Sequence, residues 1–329
     1  MGHPRRNDTR SAPKLILNPR QHPMPLTEFN LIYRYFSALG RGPAVDLSVG
    51  DDCAILKLEA GERLATSVDT MVSGVHFLED SFPEDIGFRA ISAAASDLAA
   101  MGARPLGMTV ALTLPEADEL WLNAFSQGVT AAVSEYDLPL VGGDTTRGPL
   151  TITVQVLGAV PADRALLRQG ARVGDELWVS GTLGDAAGAL AFLAGDWRPE
   201  PADAEYLLDR FNRPRARLAL GLELLDRATA CIDLSDGLLA DAGHIADASG
   251  VKLVIEPGLL PLSPALLSCD QHGNALRWAL AGGEDYELCF CLPPGTQSPE
   301  GCTRIGRAVE GEGVDCGLDI DIPPGYQHF

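Results

Sequence analysis

The amino-acid sequence predicts an α/β chain with α+β-like mixed sheets, arranged in two domains. Three observations carry that expectation. The 329 residues suffice for about two domains of ~150 residues each. Helix-period and strand-period stretches alternate, but without strict βαβ regularity, which favours mixed sheets over a doubly wound parallel one. The alternation pauses at a polar connection, residues 166–174, and then restarts. A boundary is therefore expected nearby, with residues 24–160 forming an N-terminal domain and 161–329 a C-terminal one.

Residues 1–23 are polar, contain Pro and Arg, and lack the apolar core of a signal peptide, so they read as a disordered extension. Residues 27–39 (TEFNLIYRYFSAL) show apolar 3–4 spacing with Thr27 as N-cap, a first helix. Residues 64–68 read as a strand ending at Asp69. Residues 88–101 (FRAISAAASDLAAM) form a helix stopped by Gly102. A strand at 106–114 precedes a long amphipathic helix at 116–136. Residues 138–141 form a short strand opening into Gly142-Gly143-Asp144, and 150–160 (LTITVQVLGAV) alternate as a strand. After the boundary, a strand at 176–180 leads through GTLGDAAG into a helix. A second helix covers 213–226, a strand 230–233, a helix 237–248 and a strand 251–255. A helix at 275–281 and a strand at 286–292 complete the series. No fixed-period repeat or low-complexity tract is visible.

Composition narrows the function. Lys and Arg total 25 against 45 Asp and Glu, a formal charge of −20. Such a chain lacks the basic footprint that nucleic acid or an anionic membrane requires. No apolar run approaches the ~20 residues that span a bilayer. The seven cysteines include no CxxC pair; Cys289 and Cys291 share one face of a strand. Reduced thiols of a cytoplasmic protein fit this better than disulfides or zinc.

The informative feature is a series of carboxylates beside Gly, Ser or Thr where elements begin or end. They are Asp51 and Asp52 (VGDDC), Asp69 (TSVDT), Asp144 (GGDTT), Asp233 and Asp236 (DLSDG), and Glu284 with Asp285 (GGEDYE). Taken singly, each also reads as a turn residue or helix cap. Asp97 resists that reading. It lies in a helix apolar almost all round, where a carboxylate costs several kcal/mol unless paired or metal-bound. Neither Lys nor Arg lies within one turn of it. Hydrogen bonding to backbone or water is the alternative to cation ligation there.

Together these groups are hard oxygen donors suited to Mg²⁺, which takes carboxylates, waters and substrate phosphates. An acidic pocket holds polyphosphate when such ions lie between. No GxxxxGK[ST] loop is present, and the lysines are Lys14, Lys57 and Lys252. GTLGDAAG reads as a structural turn rather than a phosphate cradle.

The motifs GDDCAI, SVDTMVSGVHF, SDLAAMGARP, VGGDTTRGP, DLSDGL, GGEDYELCF and GYQHF, in that order, resemble the thiamine-monophosphate kinase family. That family shares a superfamily with aminoimidazole ribonucleotide synthetase and selenophosphate synthetase. The resemblance covers residues 24–329. It implies an N-terminal domain that pairs across a homodimer into an intersubunit β-barrel. It also implies a C-terminal α/β domain, with ATP and several Mg²⁺ ions in the cleft between. Residue by residue, it makes Asp52, Ser67, Val68, Asp69, Asp97, Asp144, Asp233 and Asp236 metal ligands, Val68 through its backbone oxygen. Gly143, Asp144, Arg168 and Ser235 match nucleotide contacts, with Asp97 and Arg168 closest to the chemistry. His76, Glu284 and Tyr326 match contacts to thiamine monophosphate. Arg147 reads either as a phosphate contact or as a surface salt bridge.

The implied reaction is transfer of the γ-phosphoryl group of ATP to thiamine monophosphate, giving thiamine diphosphate, the last step of a cofactor biosynthesis. A phosphate acceptor is already ionised, so no general base is required, and direct in-line transfer is expected. Two rivals remain at this stage: a superfamily member acting on another small molecule, and an acidic protein that merely binds divalent cations.

Overall fold

A computed structural model describes residues 27–268 and 274–318; the expected N-terminal extension and Tyr326 lie outside the described residues. Thr27 caps α1 (Glu28–Tyr35), its hydroxyl accepting the Asn30 N–H. A single 3₁₀ turn, Ser37–Leu39, replaces the last turn of the helix expected to reach residue 39. The short antiparallel strands β1 (Val45–Leu47) and β2 (Ile55–Leu56) flank the GDDC loop.

There follow β3 (Glu62–Val72), α2 (Pro83–Ala100), β4 (Arg104–Leu114), α3 (Glu119–Tyr136), β5 (Leu140–Arg147) and β6 (Thr151–Pro161). The strands form a four-stranded sheet in the order β3-β6-β4-β5. Only the β4–β5 pair is parallel, which makes the sheet mixed, as expected. Two strands run longer than their sequence signals: β3 continues through Asp69 to Val72, and β5 contains the Gly-Gly-Asp segment rather than opening into it. Pairing explains both. Asp69 sits opposite Val154 and Asp144 opposite Ala111, so ladder hydrogen bonds hold residues whose own β-propensity is low.

The second half contains β7 (Glu176–Ser180), α4 (Asp185–Leu193), α5 (Pro201–Asn212), α6 (Leu218–Leu224), β8 (Ala230–Asp233), α7 (Leu238–Ser249) and β9 (Lys252–Ile255). Then come α8 (Pro264–Leu267), α9 (Asn274–Ala281), β10 (Leu288–Leu292), β11 (Cys302–Val309) and β12 (Gly313–Asp315). Its six strands are ordered β12-β9-β11-β7-β10-β8, again mixed. The helix expected over 213–226 is the shorter α6. Sequence reasoning missed α5, which starts at Pro201 in its first turn and buries only Leu207 and Phe211. So narrow a stripe leaves little periodic signal.

α2 joins the two halves. Pro83 starts it, Glu84 and Asp85 favour its first turn, and Gly102 (φ +63°) closes it. The Ala103 N–H bonds the Leu98 carbonyl and the Gly102 N–H the Ala99 carbonyl, a Schellman ending. The helix packs against α3, β3 and β6 of its own half and against α6 and β8 of the other. Its alanines allow neighbours to approach closely, and the neighbours answer with glycine. A Cβ on Gly128 of α3 would stand 1.9 Å from the Glu84 carbonyl oxygen, and one on Gly221 of α6 would stand 2.1 Å from that of Ala99. The hydrophobic cluster around α2 accordingly includes Met108, Val154, Leu218 and Phe290 from both halves.

Gly221→Val should force α6 off α2 and lower the unfolding free energy by about 1–3 kcal/mol or more. Urea unfolding followed by circular dichroism measures this, and an unchanged midpoint would contradict the packing role.

Candidate active site

From Ile86 to Ala100 every residue of α2 is buried except Asp97. Its carboxylate reaches a cavity of about 330 Å³ lined also by Ser67, Arg168 and Asp233. The Ser67 hydroxyl donates to Asp97 Oδ2 at 2.5 Å. Asp97 and Ser67 come from α2 and β3; Asp233 ends β8, paired with Leu288. Both halves of the molecule thus supply this cavity. Burial raises the Asp97 carboxyl, against the Ser67 hydrogen bond and the Arg168 charge. Burial first, then the charge of Asp97, pushes Asp233 up to about 7. Burial, with Asp97 and Glu284 nearby, pushes Asp69 up to about 6. The charge of Asp97 thus reaches both Asp69 and Asp233, and that of Glu284 reaches Asp69.

Arg168 is held by its backbone. Its carbonyl accepts the Ser249 hydroxyl, whose oxygen accepts the N–H groups of Gly170 and Ala171, each at 3.1 Å. Ser249 carries no sequence signal beyond its place at the end of α7.

The DLSDG and GGEDYE motifs form one assembly. The N–H of Glu284 bonds the Ser235 carbonyl and that of Tyr286 the Leu234 carbonyl. The approach is close enough that a Cβ on Gly283 would stand 2.2 Å from the Ser235 oxygen. Asp241 shapes the same loop: its Oδ2 accepts the N–H groups of Ser235, Asp236 and Gly237, each at 3.1 Å. Asp285 does the same for α4, accepting from Gly184 at 2.7 Å and Ala186 at 3.2 Å. The N–H groups at the start of GTLGDAAG are thus engaged by a carboxylate, in keeping with a structural turn rather than a phosphate cradle. Asp241 and Asp285 are buried and both pushed up to about 7, chiefly by desolvation.

The remaining predicted residues lie elsewhere. Asp52 is exposed on the β1–β2 loop, its N–H bonded to Asp51 Oδ1 at 2.8 Å, so Asp51 caps the loop. Asp51, Asp52, Gly143 and Asp144 line a separate cavity of about 800 Å³, whose far wall includes Tyr33 and Phe36 of the α1 region. Asp69 and Asp144 stand on opposite edge strands, roughly 14 Å apart by three inter-strand spacings. Gly143 is needed because a Cβ there would stand 1.9 Å from the Val110 carbonyl oxygen. Val68 points to the sheet face away from α2 and is 56% exposed. His76, half-buried after β3, accepts the Val72 N–H on Nδ1. Arg147 donates to the Pro115 carbonyl rather than to a carboxylate.

Among the described residues, no three His, Cys, Asp or Glu side chains already stand as a closed metal cage. The donor chemistry nevertheless suits Mg²⁺, which binds through one or two carboxylates and completes its shell with water and phosphate. Asp69 has burial and the charges of Asp97 and Glu284 acting on it, with no hydrogen bond to offset them.

The fold and the acidic cavity define a class. The family model described as AIR synthase related protein, N-terminal domain, matches residues 50–160. A solved thiamine-monophosphate kinase from Stenotrophomonas maltophilia K279a superposes with a TM-score of 0.82 at 44% identity, covering 89% of this chain and 98% of that one. AaThiL complexed with AMPPCP and TMP superposes at 0.77 with 37% identity, covering 92% and 97%. The thiamine-monophosphate kinase of Salmonella typhimurium strain LT2 is 50% identical over 272 residues, 82% of this chain and 84% of that protein. The chain belongs to the thiamine-monophosphate kinase family.

Asp233 protonates more readily folded than unfolded, where its value is 3.8. Between those values the folded state holds a proton that the unfolded state has released, so this contribution to stability is lost as pH rises through the window. Asp233→Asn removes that contribution. In metal-free buffer its unfolding temperature should gain on wild type by a few degrees from about pH 4 to about pH 8. Thermal scans at several pH values measure the difference, and a pH-independent one would contradict the buried charge.

Proposed function

We propose that this chain transfers the γ-phosphoryl group of ATP to thiamine monophosphate, forming thiamine diphosphate and ADP. The observation that carries this reading is the meeting of Asp97 and Asp233 with Ser67 and Arg168 in one cavity fed by both halves of the chain, with Asp69 within reach of the charges of Asp97 and Glu284. Membership of the family and likeness to AaThiL complexed with AMPPCP and TMP support the choice of substrates. No described helix is long and apolar enough to cross a membrane.

Phosphoryl transfer depends on positioning and charge neutralisation more than on covalent chemistry. Two unit charges ~4 Å apart repel by about 4 kcal/mol at an effective dielectric of 20, so bringing two polyanions together is the obstacle. Mg²⁺ ions, held by Asp52, Ser67, the Val68 carbonyl, Asp69, Asp97, Asp144, Asp233 and Asp236, would supply the neutralising charge. The side chains do the rest. Gly143 and Ser235 leave room for the nucleotide, and Arg168 draws charge from its phosphates. His76, Glu284 and Tyr326 receive thiamine monophosphate, Glu284 opposite the cationic ring. The acceptor oxygen is already ionised at neutral pH, so no general base is needed, and the γ-phosphoryl group passes directly in line without a phosphoenzyme. Residues 24–160 and 161–329 act as the two walls of the cleft.

A homodimer completes the reading. The sheet face away from α2 carries Leu64 and Val68, each more than half exposed, beside a Thr70–Thr153 hydroxyl contact at 2.9 Å. Pairing two such faces would form the intersubunit barrel.

The direct test is mass-spectrometric detection of thiamine diphosphate from thiamine monophosphate, ATP and Mg²⁺. Asp97→Asn should cut turnover by about two orders of magnitude or more while retaining the wild-type circular dichroism. Near-normal rates at saturating Mg²⁺ would remove Asp97 from the centre of the site. For the dimer, Thr153→Arg should shift the mass measured by light scattering from two chains to one. An unchanged mass would place the interface elsewhere.

A further inference from the structure

Arg89 is only 3% exposed, unusual for an arginine. It stands on α2, yet its partners belong to the second half of the chain. Its Nη2 is ion-paired with Glu284 Oε2. Its guanidinium carbon lies 3.7 Å from the centroid of the Phe211 ring on α5. Its Nε is buried and meets no hydrogen-bond partner. A flat cation pressed on an aromatic face has few other orientations open to it.

Glu284 is held just as closely. The Tyr286 hydroxyl lies 3.3 Å from the same Oε2 and donates to it. Oε1 takes no hydrogen bond from any described residue, and the side chain is 28% exposed. One oxygen is therefore tied and the other open. The backbone is strained to achieve this: Glu284 has φ +72° and Tyr286 φ +51°. Non-glycine residues persist in that region only where their surroundings over-determine them. Here those surroundings are the two bonds to the 234–235 carbonyls and the Arg89 pair. Glu284 also faces a negative field, since its charge is among the causes that raise Asp69. A glutamate so placed turns away unless a cation fixes it.

We propose that Arg89 is a positioning residue for the acceptor substrate. It clamps Glu284 Oε2 so that Oε1 is presented to a delocalised cation carried by a phosphate monoester. Phe211 keeps the clamp flat. This rests on the kinase reading and assigns that site its selectivity for a cationic acceptor.

Steady-state kinetics with thiamine monophosphate and ATP on wild type, Arg89→Gln, Arg89→Lys, Glu284→Gln and the Arg89→Gln/Glu284→Gln double variant test it. Arg89→Gln and Glu284→Gln should each raise the KM for thiamine monophosphate about tenfold or more, with the KM for ATP within about threefold of wild type. The double variant should be no worse than Glu284→Gln alone, because the two residues act as one unit. Arg89→Lys keeps the charge but not the planar fork and should fall between wild type and Arg89→Gln. If Arg89→Gln fails to fold, Arg89→Lys and Phe211→Leu should show the same selective rise. A merely structural arginine would shift both KM values and kcat together. An active wild type with the KM for thiamine monophosphate within about twofold in the Arg89 variants, or multiplied effects in the double variant, overturns the proposal alone. A wild type that makes no thiamine diphosphate overturns the kinase reading and this proposal with it.

Discussion

Negative charge packed into a low-dielectric junction dominates this molecule. Asp69, Asp97, Asp233 and Glu284 converge where α2, β3 and β8 meet, and burial raises the first three. The Ala- and Gly-mediated packing around α2 buries the carboxylates of Asp97 and Asp233 everywhere except where they reach the cavity of about 330 Å³. α2 is thus both the hydrophobic joint between the halves and the arm that carries Asp97 into the cavity. The same close packing that stabilises the joint concentrates the charge, so stability and function pull in opposite directions on one helix.

Other buried carboxylates define what is different about this group. Glu287 is fully buried but bound by Arg210, Arg217 and Ser180. Asp185 takes the hydroxyls of Thr182 and Ser263, and Asp285 and Asp241 take backbone N–H groups. Each is satisfied by partners that stay in place, which is how buried charge is ordinarily tolerated. In the junction, Asp97 has one hydroxyl and the field of Arg168, and Asp69 faces other carboxylates. The two sets share residue types and sequence neighbourhoods; GGEDYE contributes Glu284 to one and Asp285 and Glu287 to the other. What separates them is an open oxygen: Glu284 keeps Oε1 without a donor among the described residues, whereas Asp285 and Glu287 have both oxygens bonded.

That difference explains how far the sequence could be read. Mixed sheets, the α2 helix and the strands at 176–180 and 230–233 were legible because apolar period and turn chemistry are local. Asp97 was legible because a polar residue in an all-apolar helix contradicts its surroundings. Strand lengths past Asp69 and through Gly143 were not, since pairing partners distant in sequence decided them. Nor was α5, whose buried stripe is two residues. Arg89, Ser249 and Asp241 escaped for a shared reason. Each acts by holding another residue or a loop, and nothing in local spacing reveals a partner 195 positions away, as Glu284 is from Arg89. The division of the acidic residues between two cavities was equally hidden, because it follows from strand order in the sheet.

A net charge of −20 repels substrates that are themselves anions. The arrangement of the junction resolves this. Arg168 and Arg89 bring fixed positive charge to it, one at the cavity wall and one behind Glu284. Neither offsets the carboxylates fully, and Arg89 is already committed to an ion pair. Small, mobile, multiply charged cations are drawn into such a field more strongly than lysine side chains could be placed there, because each ion can share its ligands between protein and phosphate. An acidic chain with few lysines is therefore a coherent solution. On the proposed reading it would store the negative half of the site in the fold and take the positive half from solution with the substrate.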